Sequence, residues 1–107
     1  MDDRQRLEKR LEAAEDELAN LREATERKGD YGAGKGDPRV VRWEMNLALR
    51  QQSEARVEQI RKALRRLEAS TYHTCERCGN EIESERLEAI PETALCFKCA
   101  HEVASET

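Results

Sequence analysis

Four cysteines near the end of this 107-residue chain have the spacing of a metal site. They form two pairs, each with two residues between its members, and 17 residues separate the pairs: Cys75, Cys78, Cys96 and Cys99. Two such pairs complete a tetrahedral shell of four sulfurs, which suits Zn²⁺. The chain has no other cysteine. The pattern therefore predicts one structural zinc ion per chain, rather than disulfides or a redox motif.

A complete shell of four cysteines also limits what the metal can do. It has no open position for water or substrate, so the zinc cannot act as a Lewis acid. The rest of the sequence offers no nucleophile paired with a base. We therefore predict that the chain is not an enzyme.

The residues before the cysteines predict two long helices. Residues 3–28 have apolar positions at alternating spacings of four and three, which is the seam of a coiled coil, and Gly29 ends the pattern. The seam consists of Leu7, Leu11, Ala14, Leu18 and Leu21. Asp37 and Pro38 are typical of an N-cap followed by the first helical residue, and the second helix should end near Ala69. Its clearest seam is Val57, Ile60, Leu64 and Leu67.

The two seams match each other when the helices are paired antiparallel. Residue numbers that face each other then sum to a constant, and three apolar pairs share one sum: Leu7 with Leu64, Leu11 with Ile60, and Ala14 with Val57. Farther along, we expect Leu49 to share the layer of Leu18 and Leu21. Trp43 is interpreted as a packing residue at the far end, with an exposed anchor for a partner as the alternative.

The predicted fold class is therefore mainly α. An antiparallel two-helix coiled-coil hairpin occupies residues 1–70, with a glycine-rich tip at 29–36. A small C4 zinc finger with little β structure and a short C-terminal helix occupies residues 71–107. A hairpin within one chain favours a monomer over a dimer.

The finger has few apolar residues of its own, and its expected core is Tyr72, Ile82, Leu87, Ile90, Leu95 and Phe97. Such a core cannot hold a fold of this size alone, so metal binding should supply much of its folding free energy. His73 and His101 flank the cysteine pairs, but four cysteines already complete the shell, and we do not expect either histidine to bind the metal.

Charge and composition separate several classes of function. Charged residues make up 39% of the chain and aromatic residues 4%, as expected of long exposed helices. Residues 71–107 contain eight acids and three bases, for a net charge of −5. The cysteine spacing also fits a DNA-binding finger of the GATA type, but such a finger needs basic residues beside its metal.

The start of the chain bears on its location. It has no apolar signal region, and no stretch approaches the ~18 apolar residues of a membrane helix. Paired cysteines in a reducing compartment more often hold metal than form disulfides. We therefore expect a cytoplasmic protein.

Three stretches of the finger resemble one known family. They are Cys75-Glu-Arg-Cys-Gly-Asn-Glu-Ile82, Arg86-Leu-Glu-Ala-Ile-Pro91 and Leu95-Cys-Phe-Lys-Cys99. They are similar to the pattern C-x2-C-G-x2-I, R-L-x-A-x-P and C-x2-C of the DksA/TraR family of bacterial zinc-finger transcription regulators. The preceding coiled coil agrees with that family in architecture rather than in motif.

The resemblance implies a function. Members of this family bind RNA polymerase directly, without reading promoter DNA by sequence, and their coiled coil enters the secondary channel. The best-studied members carry Asp-x-x-Asp-x-Ala at the tip, whereas the nearest stretch here, Asp37-Pro-Arg-Val40-Val-Arg42, retains one aspartate. The candidate partner-binding residues are Asp30, Tyr31, Lys35, Asp37, Arg39 and Arg42. The alternatives are a DNA-binding finger, or a zinc-capped coiled coil that serves an unrelated partner or self-associates.

Overall fold

The structure is a computed structural model that describes residues 2–26 and 36–106. Within these ranges it contains four α-helices and no strand: α1 (Asp3–Thr25), α2 (Pro38–Glu68), α3 (Ser84–Ala89) and α4 (Phe97–Ser105). An isolated antiparallel bridge joins Thr74 and Glu81. The predicted fold class, two long helices followed by a four-cysteine finger with little β structure, is confirmed. None of the described helices is long and apolar enough to cross a membrane.

The chain divides into two compact units. One unit consists of Met1–Arg10 together with Gln59–Thr107, and the other is Leu11–Glu58. The first unit therefore contains the beginning of α1, the end of α2 and the whole cysteine-rich segment. The second contains the remaining parts of α1 and α2. The predicted domain boundary at residue 70 stays a prediction.

The core of the first unit joins the helix ends to the finger. Leu7 and Ile60 of the helices are fully buried, as are Tyr72, Ile82 and Pro91 of the finger. The Tyr72 hydroxyl donates a hydrogen bond to the Pro91 carbonyl oxygen at 2.8 Å, which satisfies the one polar atom of this side chain. Burial raises the pKa of Tyr72. The finger thus shares a core with the helix ends of its unit.

Two predicted core residues of the finger are exposed, and a third, Leu95, is half-buried. Ile90 is 41% exposed and Phe97 is 66% exposed. Ile90 is the C-cap of α3, where the chain leaves the helix with φ −131° and ψ 76°, and its neighbour Pro91 is buried instead. Phe97 begins α4, which buries Cys99, and two residues along a helix differ by about 200°. Phe97 therefore points away from the cysteines.

The end of α2 is closed by a Schellman motif. The Thr71 N–H donates to the Arg66 carbonyl oxygen at 2.9 Å, and the Ser70 N–H donates to the Leu67 carbonyl oxygen at 3.2 Å. Ser70 has a φ angle of 63°, the left-handed conformation that usually belongs to glycine at this position. The chain can thus leave the helix sharply toward the finger at Thr71.

In the second unit, the predicted seam is buried at Ala14, Leu18 and Val57. Leu49 was expected in this seam but is 46% exposed, so this prediction is wrong. Counting back from Val57 in steps of four and three leads to Ser53, which is 6% exposed, and then to half-buried Arg50. Leu49 lies outside that row.

The far end of α1 is tied to α2 through Thr25, where α1 ends three residues before the predicted residue 28. The Thr25 hydroxyl donates to the Leu21 carbonyl oxygen at 2.8 Å. The Trp43 indole N–H donates to the Thr25 carbonyl oxygen at 2.8 Å, and the Arg50 guanidinium donates to the Thr25 hydroxyl at 3.0 Å. Trp43 is half-buried, in agreement with its interpretation as a packing residue.

Candidate metal centre

The four cysteines meet in the first unit. Their sulfur atoms all lie within 4.8 Å of one another, and the Sγ atoms of Cys78 and Cys96 are 3.8 Å apart. All four are free thiols, so no disulfide competes for them. Cys75, Cys96 and Cys99 are buried, whereas Cys78 is exposed. One small ion can therefore contact all four sulfurs.

The first cysteine pair lies in a tight turn. Beside the bridge of Thr74 and Glu81, the Cys75 N–H donates to the Asn80 carbonyl oxygen at 2.8 Å. The Gly79 N–H donates back to the Cys75 carbonyl oxygen at 3.0 Å. Gly79 has a φ angle of 78°, which side chains rarely adopt, so a glycine after the second cysteine allows the turn. The turn brings both thiols of the pair to one side.

The second pair is positioned by the start of α4. Cys96 is the N-cap of this helix, and its sulfur accepts a hydrogen bond from the Cys99 N–H at 3.5 Å. Cys99 lies in the first helical turn. The positive end of the helix dipole favours negatively charged sulfur at both positions.

Two residues at α3, its N-cap Glu83 and Arg86 within it, hold the second pair in place. The Arg86 guanidinium Nε donates to the Leu95 carbonyl oxygen at 2.8 Å, immediately before Cys96. A carboxylate oxygen of Glu83 accepts a hydrogen bond from the Phe97 N–H at 3.1 Å, immediately after it. Hydrogen bonds from its own N–H and from that of Phe97 lower the pKa of Glu83. The arginine of the R-L-x-A-x-P stretch therefore has a structural role.

The electrostatics of the cluster favour a cation that can stabilise thiolates. Burial disfavours ionisation of Cys75, but hydrogen bonds from neighbouring backbone N–H groups outweigh it and lower the pKa of this thiol to about 6. Burial and hydrogen bonds with the other three thiols raise the pKa of Cys99 to about 12. At neutral pH the metal-free cluster therefore cannot release all its protons. A shell of four sulfurs fits Zn²⁺, whose charge stabilises four thiolates, whereas Mg²⁺ and Ca²⁺ prefer oxygen.

The two histidines lie outside the cysteine cluster, as expected. The His73 ring is 3.0 Å from the Asp3 carboxylate. The His101 ring stacks on Phe97, with ring centroids 6.3 Å apart and planes at 13°. Neither belongs to the group of side chains that can share one ion.

The finger loop is tied to both long helices of the first unit, to α1 through a buried carboxylate that the sequence did not single out and to α2 through an arginine. Glu92 has a side chain only 8% exposed, and its Oε2 atom is 2.8 Å from the Arg10 guanidinium of α1. The Arg66 guanidinium of α2 donates to the Thr93 carbonyl oxygen at 3.1 Å. No local spacing in the sequence could reveal this link, because Arg10 and Glu92 are 82 positions apart.

The predicted partner-binding residues divide into two groups. Asp30, Tyr31 and Lys35 lie outside the described residues. Asp37 and Arg39 form an ion pair of 3.2 Å, and Asp37 Oδ1 accepts a hydrogen bond from the Arg39 N–H at 2.8 Å.

The predicted N-cap of α2 is thereby confirmed. The hydrogen bonds from Arg39 lower the pKa of Asp37. The role of these residues, and of exposed Arg42, in binding a partner stays a prediction.

Comparison with known proteins supports the interpretation of the finger. Residues 70–103 match the prokaryotic dksA/traR C4-type zinc finger. A protein of Aquifex aeolicus is 51% identical over 53 residues, which cover 50% of this chain and 37% of that protein. The RNA polymerase-binding transcription factor DksA of Escherichia coli is 40% identical over 58 residues, which cover 52% of this chain and 38% of the relative. The chain thus spans less than two fifths of the length of these relatives.

A solved structure extends the likeness beyond the finger. The transcription factor DksA2 from Pseudomonas aeruginosa aligns with a TM-score of 0.60 and 25% sequence identity. The alignment covers 96% of this chain and 75% of that one, so it includes the helices. With the cysteine geometry, these findings identify residues 70–103 as a C4-type zinc finger of the DksA/TraR type, whose four cysteines fit one structural zinc ion.

Proposed function

We propose that this chain is a transcription regulator that binds RNA polymerase directly through its helical hairpin. The observation that carries the proposal is the family finger, found in one chain with two helices that align with a solved DksA2 structure. The relative from Escherichia coli is named for the same partner. The proposal assigns the protein a binding function and no enzymatic one.

The zinc finger has a structural role in this proposal. Its ligands leave no position for a reacting group. When the metal is bound, it stabilises the thiolates and thereby the finger. The contacts of Glu92 and Arg66 then hold the finger loop to the helices of the first unit. The metal therefore acts on the partner-binding helices through folding rather than through chemistry.

The finer mechanism is that the hairpin enters the secondary channel of the polymerase and its tip approaches the catalytic centre. The tip residues proposed to act there are Asp30, Tyr31, Lys35, Asp37, Arg39 and Arg42. Asp37 is engaged with Arg39 and with the helix N-terminus, which reduces the charge it can offer to a partner. We therefore infer that this tip alters initiation differently from a tip with two free aspartates.

The proposed mode of action involves no sequence-specific contact with DNA. The finger segment has a net charge of −5, from eight acids and three bases in residues 71–107, which repels phosphates. We further propose that the protein acts as a monomer in the cytoplasm, where the polymerase is.

Titration of the purified full chain, loaded with zinc, against purified cognate RNA polymerase tests the proposal. Saturable binding with one chain per polymerase is expected. A matched protein with Cys75→Ser controls for the folded finger and should bind more weakly. Absence of saturable binding by the unchanged chain would overturn the proposal. DNA affinity that falls steeply with salt would instead favour the DNA-binding alternative.

A further inference from the structure

The described part of α2 carries three of the large hydrophobic side chains that the fold leaves exposed. Val41 is 45% exposed, Met45 is 62% exposed and Leu49 is 46% exposed. All three belong to the second unit and are spaced by four residues. We call Val41, Met45 and Leu49 the outer stripe.

The spacing places the outer stripe on one side of α2. Residues four apart in a helix differ by about 40°, so the three side chains form a row along the axis. The side that packs within the unit is different: Trp43 is about 200° from Met45, and its indole bonds to Thr25. The stripe therefore contributes little to the core of its own unit.

The outer stripe also differs from the exposed surface of α1 in the same unit. Between residues 11 and 26, the exposed positions of α1 are mostly acidic, including Glu12, Glu15, Asp16, Glu17 and Glu23. Water-exposed apolar rows are unfavourable unless something covers them, and on a stable protein they are typical of interaction sites. Among the described residues of this unit, α2 carries such a row and α1 does not, so α2 is the helix that offers an apolar surface to a partner.

Two arginines border the outer stripe. Arg42 lies at its beginning and Arg56 lies about two turns beyond Leu49, on the same side of the helix. Both are exposed, and neither forms an ion pair or hydrogen bond with another of the described residues. Guanidinium groups pair well with carboxylates, in single or forked hydrogen bonds. The border therefore suits a partner with acidic side chains.

We propose that the outer stripe docks into an apolar groove of a protein partner whose rim carries aspartate or glutamate side chains. A second copy of this chain fits less well, because stable interfaces bury about 800 Å² on each partner and three half-exposed side chains present only a fraction of that area. Nucleic acid also fits less well, because the stripe is aliphatic and offers no aromatic ring on which a base can stack. The inference rests on the proposed function in taking RNA polymerase as the partner.

The test compares the unchanged chain with a triple variant, Val41→Gln, Met45→Gln and Leu49→Gln, in the polymerase titration. Glutamine favours helix and all three sites are exposed, so circular dichroism and thermal unfolding should be unchanged. The variant should bind at least about tenfold more weakly. Val103→Gln is the matched control, since this valine is 39% exposed in the first unit, and it should bind like the unchanged chain.

The acidic rim is tested by a double variant, Arg42→Gln and Arg56→Gln. It should bind more weakly, and its affinity should depend less on salt. Lys9→Gln, which removes an exposed charge from α1, controls for net charge and should change the affinity little. A double variant with unchanged affinity and salt dependence would overturn the proposal that the partner's groove has an acidic rim.

Four outcomes separate the possibilities. Weaker binding by the triple variant, with unchanged binding by the Val103→Gln control, supports docking through the outer stripe. Equal binding by the triple variant and the unchanged chain overturns the stripe and leaves the proposed function intact. No binding by the unchanged chain overturns both. A dimer seen in sedimentation that the triple variant abolishes, with polymerase binding unaffected, would overturn the inference in favour of a second copy.

Discussion

Ser70 and Gly79 both adopt a left-handed backbone conformation, with φ angles of 63° and 78°. Only Gly79 avoids the steric cost that this conformation imposes on a residue with a Cβ atom. Ser70→Gly should therefore raise the free energy of unfolding by about 0.5–1 kcal/mol. Gly79→Ala should lower it by about 1 kcal/mol, although the added Cβ would meet nothing within 4 Å.

Thermal unfolding of the zinc-loaded proteins measures both changes. Gly36→Ala is a useful comparison, because Gly36 also has open space around it and a φ angle of 91° but lies far along the sequence from the cysteines. If Ser70→Gly proved destabilising, the Schellman geometry at the end of α2 would be wrong.

Substitution of one metal ligand should show that the finger depends on zinc for folding and that the long helices largely do not. Cys75→Ser should abolish stoichiometric zinc binding and unfold the segment from residue 71 onward, because three thiolates bind zinc much more weakly than four. Much of the helical circular dichroism should remain. His73→Gln and His101→Gln are the controls, and both should retain one zinc ion in elemental analysis. A folded finger in the Cys75→Ser protein would contradict the structural role of the metal.

At the scale of elements, one ion pair fixes the finger loop to α1. Arg10→Gln would leave the Glu92 carboxylate, which is 8% exposed, without its charged partner. The first unit should lose about 1–3 kcal/mol of stability in denaturant unfolding, because a buried charge without a partner is costly.

Arg4→Gln provides the matched control. It breaks the ion pair of Arg4 with Glu68, whose side chains are 51% and 65% exposed and whose charged atoms are 3.9 Å apart. Exposed pairs of this kind contribute little, so a change below about 0.5 kcal/mol is expected. Equal effects of the two substitutions would mean that Glu92 is not held as the structure indicates.

For the whole molecule, zinc binding and pH are linked. In the metal-free cluster Cys99 has a pKa of about 12 and is protonated at neutral pH, so zinc must displace its proton. Cys75, with a pKa of about 6, takes up a further proton below that pH. The bound state therefore holds fewer protons than the free state, and zinc binding weakens as pH falls.

The expected size is an increase in the apparent zinc Kd of at least about tenfold per pH unit between pH 8 and 6, and a steeper increase below pH 6. Competition with a chromophoric chelator, corrected for the chelator's own protonation, measures this. The finger should unfold in parallel with metal loss, as followed by hydrogen exchange. A zinc affinity independent of pH would contradict the prediction that zinc displaces protons from the thiols.

Much of this protein could be predicted from its sequence, because the decisive patterns are local. Two cysteines separated by two residues reach the same ion through one turn, so the spacing alone indicated the ligand set. The seam residues Leu7 and Val57 are buried because helical periodicity assigns each side chain to a face without reference to the rest of the chain.

Only the tertiary structure decided which of two adjacent or nearby residues is buried. It buries Pro91 beside exposed Ile90, and Ser53 rather than Leu49. It also joins Arg10 to Glu92 across 82 positions. The physical reason is the same in each case. Burial and ion pairing depend on which distant segment packs opposite a residue, and no local spacing contains that information.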